Sequence, residues 1–161
     1  MLGLSACQQE TSIYTSIENP EVALEIPALT ASAVAISETE LQGQLQTTSH
    51  WSYQSGALIK VRLTNNKRGA QTVMLRSGMA LTASLWQRGQ LRWRLGDYLM
   101  ASQALMPLTL AAAEERTLLV DIAPAWLAGV AAGEYELRVA FSPLNSKQLP
   151  YWPPLMITLE N

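Results

Sequence analysis

The segment Ala57 to Thr64 reads ALIKVRLT, in which Ile59, Val61 and Leu63 alternate with Lys60 and Arg62. A two-residue apolar period places all three on one face of an extended strand and leaves the charges on the other. The same period returns in Leu81, Ala83 and Leu85, in Leu91, Trp93 and Leu95, and in Leu118, Val120 and Ile122 with Asp121 turned to solvent. It returns again in Tyr135, Leu137, Val139 and Phe141, and in Leu155, Ile157 and Leu159. Between these runs lie Ser55-Gly56, Asn65-Asn66-Lys67-Arg68-Gly69, Ser77-Gly78, Gln87-Arg88-Gly89-Gln90 and Pro124, residues that favour turns. Short strands at a spacing of roughly eight to twelve residues, with no long helical pattern between them, predict an all-β antiparallel sandwich. A chain of 161 residues that is 48% hydrophobic can bury one such core.

The connections are read from the turn residues. Asn65 to Gly69 predicts a hairpin from the Ala57 strand into one carrying Val73 and Leu75, and Gln87 to Gln90 predicts a second. The stretch Gln90 to Leu110 then carries an alternating strand to Gly96-Asp97, loses the period through Leu99, Met100, Ala104 and Leu105, and resumes extended after Pro107. It is expected to be a short helical or loop crossover between sheets. Gly133-Glu134-Tyr135 resembles the tyrosine corner of immunoglobulin-like sandwiches, which implies that the Tyr135 hydroxyl bonds backbone a few residues upstream. The fold class expected is therefore an immunoglobulin-like antiparallel β-sandwich. Pro153-Pro154 suit an edge position for the last strand.

Charge divides the chain. Of thirteen acidic residues, Glu10, Glu18, Glu21, Glu25, Glu38 and Glu40 lie before Gly43 without any Lys or Arg, leaving seven acids against all eleven basic residues beyond it. Net charges of −6 and +4 follow for the two parts, and two regimes are expected. Residues 8–43 form an acidic, largely flexible tether, in which Val22 to Ile26 and Ala33 to Ile36 are short enough to dock as edge strands; residues 44–161 form the sandwich, with His50-Trp51-Ser52-Tyr53 in its first strand. The basic residues are too scattered for nucleic acid.

The single cysteine excludes an internal disulfide. Leu4-Ser5-Ala6-Cys7 resembles the lipobox of bacterial lipoproteins, and the resemblance implies lipidation of Cys7, export, and, with Gln8 next, an outer-membrane anchor facing the periplasm. Residues 1–7 are read as a truncated lipoprotein signal, since a signal peptide carries an apolar run of about 7–15 residues.

The inventory offers little chemistry. His50 is the single histidine and Asp97 and Asp121 are the two aspartates, with no Gly-x-Ser-x-Gly elbow to accompany them. The glycines are dispersed at turns, so no phosphate loop is formed. Met74, Met79, Met100 and Met106 read as core fillers in preference to soft-metal ligands. No catalytic residue, metal or cofactor is expected, and the chain is not expected to be an enzyme.

The order of features from Ala57 to Phe141 resembles the BsuPI family, the bacterial intracellular proteinase inhibitor domain. The resemblance rests on a strand ending in Thr64-Asn65-Asn66, the strands up to Trp86, the segment Leu91-Arg92-Trp93-Arg94, Gln103-Ala104, Leu108 and Leu110, and Gly133-Glu134-Tyr135. Ala112-Ala113-Glu114 stands where the pattern has a Pro-Gly-Glu-like turn, and Trp126 has other neighbours than the family's late Trp. The resemblance implies a protein-binding module; a protease is the partner in the founder's sense, and an exported chain need not share that target. Arg92, Trp93, Arg94 and Tyr98 are the candidate contacts, being residue types favoured at binding hot spots. A structural envelope role stands beside this reading. So does glycan stacking on Trp51, Tyr53, Trp86, Tyr98, Tyr151 and Trp152, which requires these rings to be coplanar and exposed.

Overall fold

The structure, a computed structural model, describes residues 11–12, 31–34, 41–76, 79–99, 104–141 and 151–161. Its strands are β1 (Thr11–Ser12), β2 (Ala31–Val34), β3 (Leu41–Thr47), β4 (His50–Ser52), β5 (Ala57–Asn65), β6 (Gln71–Arg76), β7 (Leu81–Gln87) and β8 (Gln90–Arg94). After them come β9 (Leu105–Leu110), β10 (Glu115–Ile122), β11 (Gly133–Phe141) and β12 (Leu155–Glu160), with single 3-10 turns at Leu95–Asp97 and Pro124–Leu127. Two five-stranded sheets, in the orders β1-β10-β5-β3-β2 and β4-β12-β11-β7-β8, enclose the core, and β6 pairs with β9 as a separate ribbon. The fold is an all-β, immunoglobulin-like sandwich.

The alternation read from the sequence is the alternation of burial. Across the antiparallel ladder Val61 and Ile59 of β5 pair with Leu118 and Val120 of the neighbouring β10 and Ala57 pairs with Ile122, and all of these, with Leu63, are buried. Tyr135, Leu137, Val139 and Phe141 close over them from β11. At roughly 1.5–3 kcal/mol for each large apolar side chain removed from water, these two faces are the main source of stability. No helix among the described residues is long and apolar enough to cross a membrane.

Several connections differ from expectation. The Asn65–Gly69 segment is not a hairpin: β5 is already flanked by β3 and β10, and β6 leaves the sheet to pair with β9. The cause is the buried Asn65 side chain. Its Nδ2 lies 2.9 Å from the Gly69 carbonyl, 3.1 Å from that of Leu110 and 2.9 Å from that of Ala111, while its Oδ1 accepts the Lys67 amide. These bonds hold the loop to the β9–β10 corner, so the chain is carried off the β5 edge.

The sandwich also begins earlier than position 44. Leu41 and Leu45 of β3 are fully buried, and β2, which overlaps the Ala33 to Ile36 piece read as short enough to dock, pairs antiparallel with β3 as the edge strand of its sheet. Two ladders are parallel within the otherwise antiparallel sheets, β1 with β10 and β4 with β12. β12 lies between β11 and β4 and is not an edge. Pro153 and Pro154 are accommodated because they precede the strand, where no ladder bond is required of them. Strand β9 starts at Leu105 and includes Pro107, which is compatible with a two-stranded ribbon that leaves one side of each strand unpaired. Cys7, Val22 to Ile26 and Gln103 lie outside the described residues.

Candidate binding site at the sandwich end

Strand β8 is the edge of its sheet, joined to β7 by a tight turn in which Arg88 and Gly89 take φ of 51° and 74°. Positive φ at both central residues is the type I′ hairpin geometry that matches strand twist. Within the ladder Leu85 pairs with Trp93 but Trp86 pairs with Leu91, so Arg92 is the extra residue of a β-bulge. The bulge breaks the period expected for this strand. Trp93 and Leu95 are buried, whereas Leu91 is 42% exposed beside Trp86 instead of sharing their face.

Trp93 therefore belongs to the core, at 3% exposure, and cannot itself be a contact residue at the surface. It meets Trp51 edge-on at 5.9 Å and stacks with Tyr98 at 6.0 Å, and Tyr98 stacks in turn with Trp126 at 6.0 Å. Offset ring pairs of this kind contribute about 0.5–1.5 kcal/mol beyond their buried area. Tyr98 remains 42% exposed. The 3-10 turn places it there: the Tyr98 amide donates to the Leu95 carbonyl, and Asp97 accepts two bonds from Arg94, at 2.7 Å from Nη2 and 3.1 Å from Nε. Both members of that ion pair are more than half exposed, so it orients Arg94 more than it stabilises the fold.

The loop 124–132 is held over this end by three aromatic donors from three parts of the chain. Trp93 Nε1 donates to the Trp126 carbonyl at 2.9 Å, the Tyr53 hydroxyl to that of Val130 at 2.5 Å, and the Tyr135 hydroxyl to that of Ala131 at 2.6 Å. Tyr135 bonds four residues upstream at the start of β11, which is corner geometry. Burial raises its phenol pKa, with Tyr53 adding to the rise and the nearby Arg92 charge opposing it. Beside these anchors opens a cleft of about 440 Å³ lined by Gln87, Leu91, Arg92, Gly129, Val130, Ala131 and Tyr135. The Tyr53 and Trp93 anchors were not expected from sequence, because an aromatic in an alternating strand reads only as apolar.

The remaining candidate chemistry is dispersed. His50 pairs with Glu160 on the exposed face of β4, Asp97 is engaged by Arg94, and no group of three or more His, Cys, Asp or Glu is placed to hold a metal among the described residues. The six rings considered for glycan stacking do not form one platform. Trp51 and Trp152 are buried, Trp152 packs on Phe141 and donates to the Gly43 carbonyl, and Trp86 lies under the Arg138 guanidinium at 4.4 Å. Tyr98 and Tyr151 are the well-exposed rings of the six.

The fold and this end together define an all-β sandwich whose closing loop is pinned by aromatic side chains. No family model and no curated protein matches the sequence. Among solved structures the chain is similar to the β-glucosidase from Listeria innocua in complex with glucose, at 11% identity and a TM-score of 0.48 over 78% of this chain and 17% of that one. It is also similar to the β-D-glucoside glucohydrolase from Trichoderma reesei, at 14% identity and a TM-score of 0.42 over 78% of this chain and 19% of that one. The chain thus spans less than a fifth of either enzyme, and likeness at this level bears on neither activity nor substrate.

Proposed function

We propose that this chain is a non-catalytic cell-envelope lipoprotein, anchored through lipid on Cys7, whose sandwich end binds another protein in the manner of a proteinase-inhibitor-like module. The observation that carries the binding reading is Tyr98: a large ring, 42% exposed, stacked on Trp93 and Trp126, with exposed Arg92 and Arg94 on the strand that leads into its turn. A pre-stacked ring loses little freedom on binding, and Tyr and Arg are the residue types that dominate interface energies. Trp93 acts in this reading by holding Tyr98, while Arg92, Arg94 and Tyr98 make the contacts. The BsuPI resemblance supports a protein as the ligand, and the Leu4-Ser5-Ala6-Cys7 pattern supports the envelope as its place.

Pull-down from envelope extract with wild-type, Tyr98→Ala and Arg94→Ala chains tests the contact, and a serine-protease panel tests inhibition separately. Hot-spot truncation costs about 2 kcal/mol or more, which is roughly thirtyfold in affinity. Unchanged capture by both folded variants refutes this placement of the contact. Fractionation of the chain expressed from its gene's own start, against Cys7→Ser, tests anchoring: equal solubility of the two removes the lipid. Stable anchoring requires more than one acyl chain.

A further inference from the structure

We infer that the cleft beside β8 is a carboxylate subsite, in which the Arg92 guanidinium receives an acidic side chain of the protein partner. This rests on the protein-binding reading above and specifies its chemistry. Among the described arginine side chains on strands, Arg62 faces Glu115, Arg94 faces Asp97, Arg116 faces Glu114 and Arg138 faces Glu136. Arg92, by contrast, has no hydrogen-bond or ion-pair partner among the described residues, although it lines the 440 Å³ cleft. A guanidinium offers five N–H donors in a planar fork that matches a carboxylate.

The bulge gives this placement a structural cause. One extra residue in β8 leaves Arg92 without a cross-strand neighbour and puts it, together with Leu91, into the cleft wall. Bulges re-aim side chains in this way. Across the cleft the wall is stiff, because the Val130 and Ala131 carbonyls are already taken by Tyr53 and Tyr135. Those two carbonyls already accept from protein donors, Gln87 donates to the Glu134 carbonyl, and the charged group of the lining that faces an entering ligand is the Arg92 cation. Leu91 supplies an apolar surface for the methylene stem of a glutamate. A single positive charge matches a singly charged carboxylate better than a phosphate group, which carries nearly two negative charges.

The test is an NMR titration of the full isotope-labelled chain with N-acetyl-glutamate methylamide, with the glutamine analogue and inorganic phosphate as parallel arms. Saturable shifts at the Gly129, Val130 and Ala131 amides and at Arg92 Nε are expected with the glutamate probe, and not with the glutamine one. Arg92→Gln is expected to weaken binding on the order of tenfold or more, and Arg92→Lys less, because the charge remains but the fork is lost. Arg92 is exposed on an edge strand, and an unchanged melting midpoint certifies each variant as folded. Equal binding of the glutamine analogue, tighter binding of phosphate, or indifference to Arg92→Gln overturns the subsite. Failure of the underlying reading looks different: Tyr98 does not line the cleft, so glutamate binding with no protein captured removes the protein partner and leaves the subsite. A partner held as before by Arg92→Gln but lost by Tyr98→Ala removes the subsite and leaves the partner.

Discussion

Asn65→Ala should be among the most damaging single changes in this chain, although it removes no apolar contact. The Asn65 side chain is fully buried at the end of β5, and its amide nitrogen serves the carbonyls of Gly69, Leu110 and Ala111 while its oxygen accepts from Lys67. Two N–H groups shared over three acceptors, plus the accepted bond, amount to about three hydrogen bonds at about 0.5–1.5 kcal/mol each. The Leu110 carbonyl is in the buried part of this cluster, and leaving it unpaired costs about 1–3 kcal/mol. Allowing for overlap between these figures, the loss is about 2–5 kcal/mol, a large fraction of the roughly 5–15 kcal/mol by which domains are stable. Asn65→Asp should be worse at neutral pH, because a buried carboxylate would replace the donors and face carbonyl oxygens. Repulsion raises its folded pKa above the ordinary value of about 3.9, so the ionisation part of the penalty is absent below that value, grows as pH rises towards the folded pKa and is constant above it, on top of the pH-independent loss of the amide donors. Urea unfolding followed by tryptophan fluorescence at pH 7 and pH 4 measures both variants. Losses under about 1 kcal/mol for both, without pH dependence of the difference, would refute the assignment of Asn65 as the tie between the two corners.

Four further outcomes are expected. Gly56→Ala should destabilise by on the order of 3 kcal/mol or prevent folding, since Gly56 sits at φ +72° and an added Cβ would lie 1.9 Å from the Ile122 carbonyl oxygen; a wild-type melting midpoint contradicts this. Ala113→Gly should stabilise by about 0.5–1 kcal/mol, because Ala113 holds φ at 58° and the relief exceeds the added unfolded-state entropy, as read from the urea midpoint. Tyr135→Phe should cost about 0.5–1.5 kcal/mol through its bond to Ala131, and Leu137→Ala about 2–5 kcal/mol through a core cavity; similar midpoints for the two would deny the distinction between corner and core. Glu114 accepts from Arg116 and from the Ala111 amide, which lowers its folded pKa, so the stability it confers is present above the ordinary glutamate range and lost as pH falls through the lowered value. Glu114→Gln should therefore differ from wild type at pH 7 and converge with it in acid, in paired thermal melts.

What the sequence revealed and what it concealed have a common physical basis. Side-chain period reports which face of a strand is buried, and for β5, β7, β10 and β11 the residues that the alternation named are buried. Period does not report which strand lies alongside. The turn chemistry of Asn65 to Gly69 is that of a hairpin, yet Asn65 spends its amide on Leu110 and Ala111, over forty positions away, and β6 pairs elsewhere. The same limit applies at β8, where one inserted residue moves Leu91 from the core face to the surface and separates it from Trp93. A bulge has no signature in a run such as Leu91-Arg92-Trp93-Arg94, since its cause is the register with β7.

At the sandwich end, these two kinds of information combine. Trp93 and Tyr98 lie five positions apart, and from sequence they were equal candidates for contact. The 3-10 turn between them folds Tyr98 back onto Trp93, so one ring is buried as support and the other is presented. The partner carbonyls for Trp93, Tyr53 and Tyr135 all fall within residues 126–131, which ties β8, the segment after β4 and β11 to one loop. Such a loop cannot move without breaking bonds to three strands' worth of structure. Arg92 and Tyr98 are thereby displayed from a stiff frame, and the affinity of this end for any partner should depend on their chemistry more than on ordering of the loop.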